Sequence, residues 1–171
     1  MVGIGVDDWA KWRYDGGQMA QAATERALEQ KEEVVEMLGG KKLLGGSLDS
    51  QLKLMGAIRS GLPYGSVESV GDRLELSDEA ISNAIAISRR TLIRRKAEGK
   101  LSGEESDRLL RLARVASLAM ETLGSTKKAA HWLKQPNRAL GNQTPLSMMD
   151  NDIGVRQVES LLDHIEYGLP A

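Results

Sequence analysis

Seven residues after Ser88 have the type and spacing to do recognition chemistry: Arg89, Arg90, Thr91, Arg94, Arg95, Lys96 and Lys100, with Glu98 the one acid among them. A helix that enters the major groove by its N-terminus presents first-turn side chains to base edges. An Arg there can bond guanine bidentately, worth roughly 1–3 kcal/mol of discrimination against the wrong base. Lys and the remaining Arg would neutralise phosphates, which positions the protein and makes affinity salt-dependent. This pattern assigns Arg89, Arg90, Thr91 and Arg94 to base or phosphate contact, and Lys96 and Lys100 to phosphate. Arg95 is left unassigned. An apolar residue is usual near that position, so its stem is expected to pack and its head to reach solvent.

Such side chains need two short helices at a steep angle. Ser77, followed by Asp78 and Glu79, is a natural cap for the first, with acids at the positive end of the helix. Ile81, Ile85, Ile87 and Leu92 fall where the two helices must share apolar contacts, and Ser82 and Ala86 are small where they would approach. Ser88 caps the second helix and Gly99 ends it. The segment from Asp78 to Arg95 therefore has the pattern of a DNA-reading helix-turn-helix. The bland alternative is a solvated basic face on an ordinary helix pair.

The elements around it read as helices too. Helices are expected from about Asp49 to Ser60, and from a Ser66 cap to Leu74. Ser102 and Glu105 form a capping box that opens the longest helix, with Leu109, Leu112, Ala116, Ala119 and Leu123 as its stripe and Gly124 as its stop. A short helix over 126–134 ends before Pro136. Thr144-Pro145 restarts the chain, and a last helix is expected to bury Ile153, Val158, Leu161, Leu162 and Ile165 and to end at Gly168. Upstream, a helix is expected over 18–38, followed by a boundary where glycine pairs flank Lys41-Lys42-Leu43-Leu44. The expected organisation is an N-terminal extension at 1–46, a helix-turn-helix domain at 47–100 and a helical C-terminal domain at 101–171. The fold class is all-α.

Composition narrows the function classes. The 171 residues include no Cys and no Phe, with 41% hydrophobic and 27% charged residues and a net charge of -1. No disulfide, thiolate metal site or Cys nucleophile is available. The two histidines, His131 and His164, lie on separate helices, and nothing places them with a nucleophile or a metal-ligand set. No glycine loop has the strand and helix context of a phosphate cradle. No apolar run approaches the roughly 20 residues needed to cross a bilayer, and Met1 to Trp12 lacks the regions of a signal peptide. A cytoplasmic protein that is not an enzyme and carries no cofactor is expected.

The second half is more specific. The run Leu101 to Val115 (LSGEESDRLLRLARV), the run Ala130 to Gly141 (AHWLKQPNRALG), Thr144 to Asp150 (TPLSMMD) and Val158 to Gly168 (VESLLDHIEYG) occur in order. Together they resemble the Xre-type antitoxins of RES-Xre toxin–antitoxin systems, the Xre/MbcA/ParS-like group, over about residues 47–171. Arg94-Arg95-Lys96-Ala97-Glu98-Gly99 departs from the Arg-Trp-Glu-Asn-Gly ending common in Xre proteins. The resemblance implies a dimer that represses its own operon by binding operator DNA. It also implies a C-terminal domain that covers the active site of a RES toxin, an enzyme that consumes NAD.

Charge is compatible with two partners. From Thr144 onward five acids (Asp150, Asp152, Glu159, Asp163, Glu166) face one fixed cation, Arg156, whereas the proposed reading helix is basic. Glu166, Tyr167 and the chain end at Ala171 are candidates for toxin contact, and the loop with Arg138, Asn142 and Thr144 is a second candidate surface. Thr144 also reads as a helix cap and Asn142 as a turn residue. Two other readings stay open at this point: a stand-alone dimeric regulator, and an interaction protein whose helix-turn-helix no longer binds DNA.

Overall fold

The computed structural model describes residues 28–45 and 51–168. The chain divides into two compact units, Met1–Glu32 and Glu33–Ala171. Of the first, residues 28–32 are described and are helical. The second opens with helical residues 33–37 (α1). It continues through α2 (Gly40–Leu43), α3 (Gln51–Ser60), α4 (Gly65–Leu74), α5 (Asp78–Ala84), α6 (Arg89–Glu98), α7 (Gly103–Leu123), α8 (Thr126–Leu133) and α9 (Asp152–Glu166). Two 3-10 turns, Arg138–Leu140 and Pro145–Met148, join α8 to α9. No strand occurs among the described residues; β-type pairing there is limited to isolated bridges, Pro63 with Lys100 and Asn137 with Gln143. The protein is all-α.

α7 organises the second unit. It packs against α3, α4, α8 and α9. Along it Leu109, Leu112, Ala113, Val115, Ala116 and Ala119 are fully buried, so the stripe is wide enough to serve several neighbours at once. One apolar core joins this helix to Val34, Met37 and Leu38, to Val67, Val70 and Leu74 of α4, to Ile81 of α5 and Ile85 just after it, and to Val158 and Leu162 of α9. Each fully buried Leu or Ile contributes about 1.5–3 kcal/mol of transfer free energy. The segment 33–38, placed in the extension by sequence, thus buries its apolar side chains in the same core as α7. Lys134, the residue after α8, donates to the carbonyls of Leu74 and Glu75, both at 3.3 Å, and so closes the C-terminus of α4.

The caps follow the sequence closely. Ser77, Ser88, Ser102 and Ser125 each accept a backbone N–H from the first turn of the helix they precede, and both halves of the Ser102–Glu105 capping box are formed. Ser66 is a correction. α4 starts two residues earlier, with Tyr64 at the cap position and no side-chain cap bond. The first-turn amides of Ser66 and Val67 are taken by the carbonyls of Pro63 and Tyr64, so no hydroxyl is needed there. Ser66 is instead fully buried. The boundary stretch after Leu38 contains the one-turn helix α2, entered through Gly39 and Gly40, both at positive φ.

Two further expectations change. The chain from Thr144 does not start the last helix; it makes a 3-10 turn, and α9 begins separately behind an Asn151 cap. Within α9, Ile153 is 71% exposed and Ile165 40%. Ile153 lies five residues before Val158, about 140° around the helix, which carries it off the buried face. Val155 and Gly154 take the buried positions instead.

Ala86 is not a close-approach residue between α5 and α6. It is exposed, with φ of 51°, and forms the left-handed turn between them. That conformation costs an L-residue about 1–2 kcal/mol, against about 0.5–1 kcal/mol of extra chain entropy lost by Gly on folding. Ala86→Gly is therefore expected to stabilise the protein by about 0.5–1 kcal/mol, visible as a higher urea midpoint. A lower midpoint would mean that the Ala86 methyl makes a contact worth more than the backbone strain.

Candidate functional site

α5 and α6 meet across Ile81, Ile85 and Leu92, all buried, with half-buried Ile87 in the turn. The second helix is seated by Leu92, its single buried residue. At 3.6 residues per turn, Arg90 and Arg94 each stand about 160° from Leu92, so together they define the outward face. Arg89 is exposed on one flank, and half-buried Thr91 lies on the other. The Thr91 hydroxyl lies 3.0 Å from that of Ser88, within the cap itself. Ile93, 61% exposed, sits between the arginines. Sequence reading passed over Ile93; the signal was an apolar residue, other than the anchor Leu92, in an otherwise polar helix.

The basic residues separate into two groups. Arg89, Arg90 and Lys100 are exposed, and Arg94 is 60% exposed with a loose i,i+4 approach of 3.6 Å to Glu98. Such a surface pair is weak and readily gives up its cation to another anion. Lys96 and Arg95 are engaged with the protein. The Lys96 ammonium lies 3.1 Å from Glu68 of α4 and 5.6 Å from the centroid of the Tyr64 ring. Its pKa is raised by the hydrogen bond and charge of Glu68. Burial, with the nearby acids Asp78 and Glu68, raises that of the Tyr64 hydroxyl against the opposing effect of Lys96.

Arg95 does not send its head to solvent, as the snorkelling expectation had it. Its Nε donates to Glu105 at 2.7 Å and its Nη1 to Glu98 at 2.6 Å. These bonds raise the pKa of the guanidinium further. Burial pushes the Glu105 carboxyl up, but the bonds from Arg95 and from the Ser102 backbone outweigh it and leave the group below its ordinary value. α7 also reaches the turn, where Arg108 Nη1 donates to the Ala86 carbonyl at 3.1 Å.

The C-terminal candidates are only partly brought together. Arg138 is exposed on the first 3-10 turn, which packs against α9. Between them lies a cleft of about 470 Å³ lined by Leu140, Ile153, Gln157, Ser160 and His164, among others. Ile153, Gln157, Ser160, His164 and Tyr167 follow helical spacing along this side of α9. Tyr167 is 65% exposed at its end, beside half-buried Glu166. Asn142 and Thr144 do backbone work. Asn142, like Gly141 before it, is left-handed in the tight loop bridging Asn137 to Gln143, and the Thr144 hydroxyl accepts from the Ser147 backbone N–H at 3.1 Å. Ala171 lies outside the described residues. Ile153, read as core in the sequence, is the exposed apolar residue of this surface.

The arrangement defines a helix-turn-helix protein with a cationic reading helix and a further helical domain built on the same core. Residues 53–114 match the family model of the antitoxin Xre-like helix-turn-helix domain. Residues 118–168 match that of the antitoxin Xre/MbcA/ParS C-terminal toxin-binding domain. The chain is 34% identical to an Antitoxin Xre of Photorhabdus laumondii subsp. laumondii over 114 residues, 66% of this chain and 77% of that protein. It is 30% identical to an Antitoxin Xre of Yersinia enterocolitica serotype O:8 over 118 residues, 68% of this chain and 80% of that protein. The chain belongs to the Xre antitoxin family. No helix among the described residues is long and apolar enough to cross a membrane.

Proposed function

We propose that this antitoxin neutralises a RES-type, NAD-consuming toxin by covering its active site, and that it represses its own operon as a homodimer on operator DNA. Residues 47–100 hold the DNA and residues 101–171 hold the toxin; residues 1–46 precede both, with Val34, Met37 and Leu38 in the shared core. The reading places the protein in the cytoplasm and gives it no catalytic role or cofactor. The observation that carries it is the pairing of two exposed faces of opposite character on one core. α6 turns Arg90 and Arg94 outward, a cationic face, whereas α9 leaves the apolar Ile153 and the aromatic Tyr167 exposed. On the DNA side, Arg89, Arg90, Thr91 and Arg94 contact bases or phosphates, and Lys100 contacts phosphate. Lys96 reaches a phosphate by exchanging Glu68 for it. On the toxin side, Arg138, Asn142 and Thr144 of the loop after α8, Glu166 and Tyr167 at the end of α9, and Ala171, which lies outside the described residues, meet the toxin. The acidic stretch from Thr144 onward suits a pocket that binds the NAD pyrophosphate.

The test is co-expression with the product of the adjacent gene, following co-purification and cellular NAD. Deleting residues 144–171 would remove Val155, Val158, Leu161 and Leu162 from the core, so a surface variant is the better probe. With the unaltered chain, NAD stays at control level and the two proteins co-purify. With Ile153→Asp and Tyr167→Ala combined, NAD falls and co-purification is lost, while thermal unfolding is unchanged. An adjacent product that leaves NAD untouched on its own sinks the RES assignment.

A further inference from the structure

α6 is attached through little apolar surface. Leu92 is its one buried residue, and the main packing of the helix is with α5. A helix anchored at one apolar point can roll about its axis. A roll of one residue step, about 100°, would carry Arg90 and Arg94 off the outward face. The groups that oppose such a roll are polar. Arg95 stands about 60° from Leu92 on one flank and Lys96 about 40° on the other. The Lys96–Glu68 pair is 61% and 52% exposed, so solvent and salt screen it.

The Arg95 side is built differently. The Glu105 side chain is 9% exposed and that of Arg95 20%. One oxygen of Glu105, Oε2, accepts both from Arg95 Nε and from the backbone N–H of Ser102, each at 2.7 Å. The carboxylate is thereby fixed by the capping box of α7, the helix at the centre of the core. A guanidinium bonded through Nε is held in plane as well as in distance, because its donors form a rigid fork. Its other end is held at Nη1 by Glu98.

We infer that Arg95 is a positioning residue: joined to Glu105, it sets the roll of α6 and so the register of Arg90 and Arg94 on a DNA duplex. The DNA part of this rests on the operator-binding reading above. Arg95 itself touches no base or phosphate in this arrangement.

The opposing possibility, a direct Arg95–phosphate contact, makes predictions of opposite sign. Glu105→Gln keeps an acceptor for the capping box but neutralises the partner of Arg95. As a positioning pair, the chain should lose roughly tenfold in affinity for the promoter region upstream of its own gene, the cost of one misplaced bidentate contact. If Arg95 contacted DNA directly, the same change would release a cation and remove an acid near the phosphates, and affinity would rise. Arg95→Lys sharpens the contrast. A phosphate contact survives that change, whereas the fork joining Glu105 and Glu98 does not, so affinity should fall by a similar factor. Affinity for a scrambled duplex should be unchanged in both variants, since orientation matters to base readout and not to diffuse charge.

Amide hydrogen exchange supplies a readout independent of DNA. Both variants should exchange faster in α6 than the unaltered chain, with α5 and α8 unchanged. Unchanged or tighter promoter binding by Glu105→Gln, equal loss on the scrambled duplex, or unchanged α6 exchange would each overturn the inference. Should the unaltered chain bind no promoter DNA, the operator reading fails on its own, and α6 exchange still decides whether the Arg95–Glu105 tie holds the helix.

Discussion

Replacing Arg90 and Arg94 together by Ala should weaken binding to the promoter DNA by about a hundredfold or more, at roughly 1–3 kcal/mol for each bidentate arginine–guanine pair that is broken. Both side chains are exposed and on the outward face of α6, so the fold does not depend on them. Surface substitutions of this kind stay within about 0.5 kcal/mol in stability. Electrophoretic or fluorescence titration at several salt concentrations separates phosphate binding from base readout. Each phosphate interaction removed lowers the slope of log K against log salt by about 0.9. Removing a base interaction leaves that slope in place and erodes the preference for promoter over scrambled duplex. Binding to the toxin should persist, because α9 uses a different face of the core. Full promoter affinity in the double variant would move DNA recognition off α6 altogether.

Gly154→Ala should be the most damaging single substitution on the toxin side. A Cβ at this position would stand 2.1 Å from the Met148 carbonyl oxygen and 3.0 Å from its carbon. The obstacle is backbone and cannot swing away as a long side chain would. It belongs to the 3-10 turn Pro145–Met148, which is held by buried Pro145 and Leu146 and by the Thr144 cap. α9 cannot retreat either without withdrawing Val155, Val158 and Leu162 from the core. The expected loss is about 3 kcal/mol, at the upper end of overpacking costs. For a chain of this size that lowers Tm by roughly 6–12 °C. Toxin neutralisation should fail near that temperature. Ile153→Ala, one residue away but 71% exposed, should leave Tm unchanged. A Gly154→Ala protein as stable as its parent would mean that α9 does not sit on the Pro145–Met148 turn.

Both outcomes depend on features with different visibility in the chain. Local signals were legible wherever one residue type answers one backbone demand. Ser77, Ser88 and Ser102 precede helices because a short hydroxyl satisfies a first-turn amide. Gly99 and Gly124 follow helices because they adopt the left-handed conformation freely. The basic content of α6 and the wide stripe of α7 could likewise be read directly, since both are properties of a single helix. The same logic misled at Ser66, where a preceding turn already supplied the carbonyls. At Ile153 residue type alone points to the core, whereas its angle around the helix, about 140° from Val158, carries it to the surface.

What the sequence determined by itself is therefore the all-α class, the helix-turn-helix and its capped ends, and the family to which the four C-terminal blocks point. Tertiary structure alone decided how firmly each cation of α6 is held. Arg94, Arg95 and Lys96 are consecutive and alike in composition, yet Arg94 stays 60% exposed with a loose approach to Glu98, while Arg95 is also bonded to Glu105 and Lys96 is paired with Glu68. The partners Glu68 and Glu105 lie on α4 and α7, far along the chain from one another. Their proximity to α6 comes from the packing of a shared core, and no local pattern of residues encodes an ion pair that the core assembles.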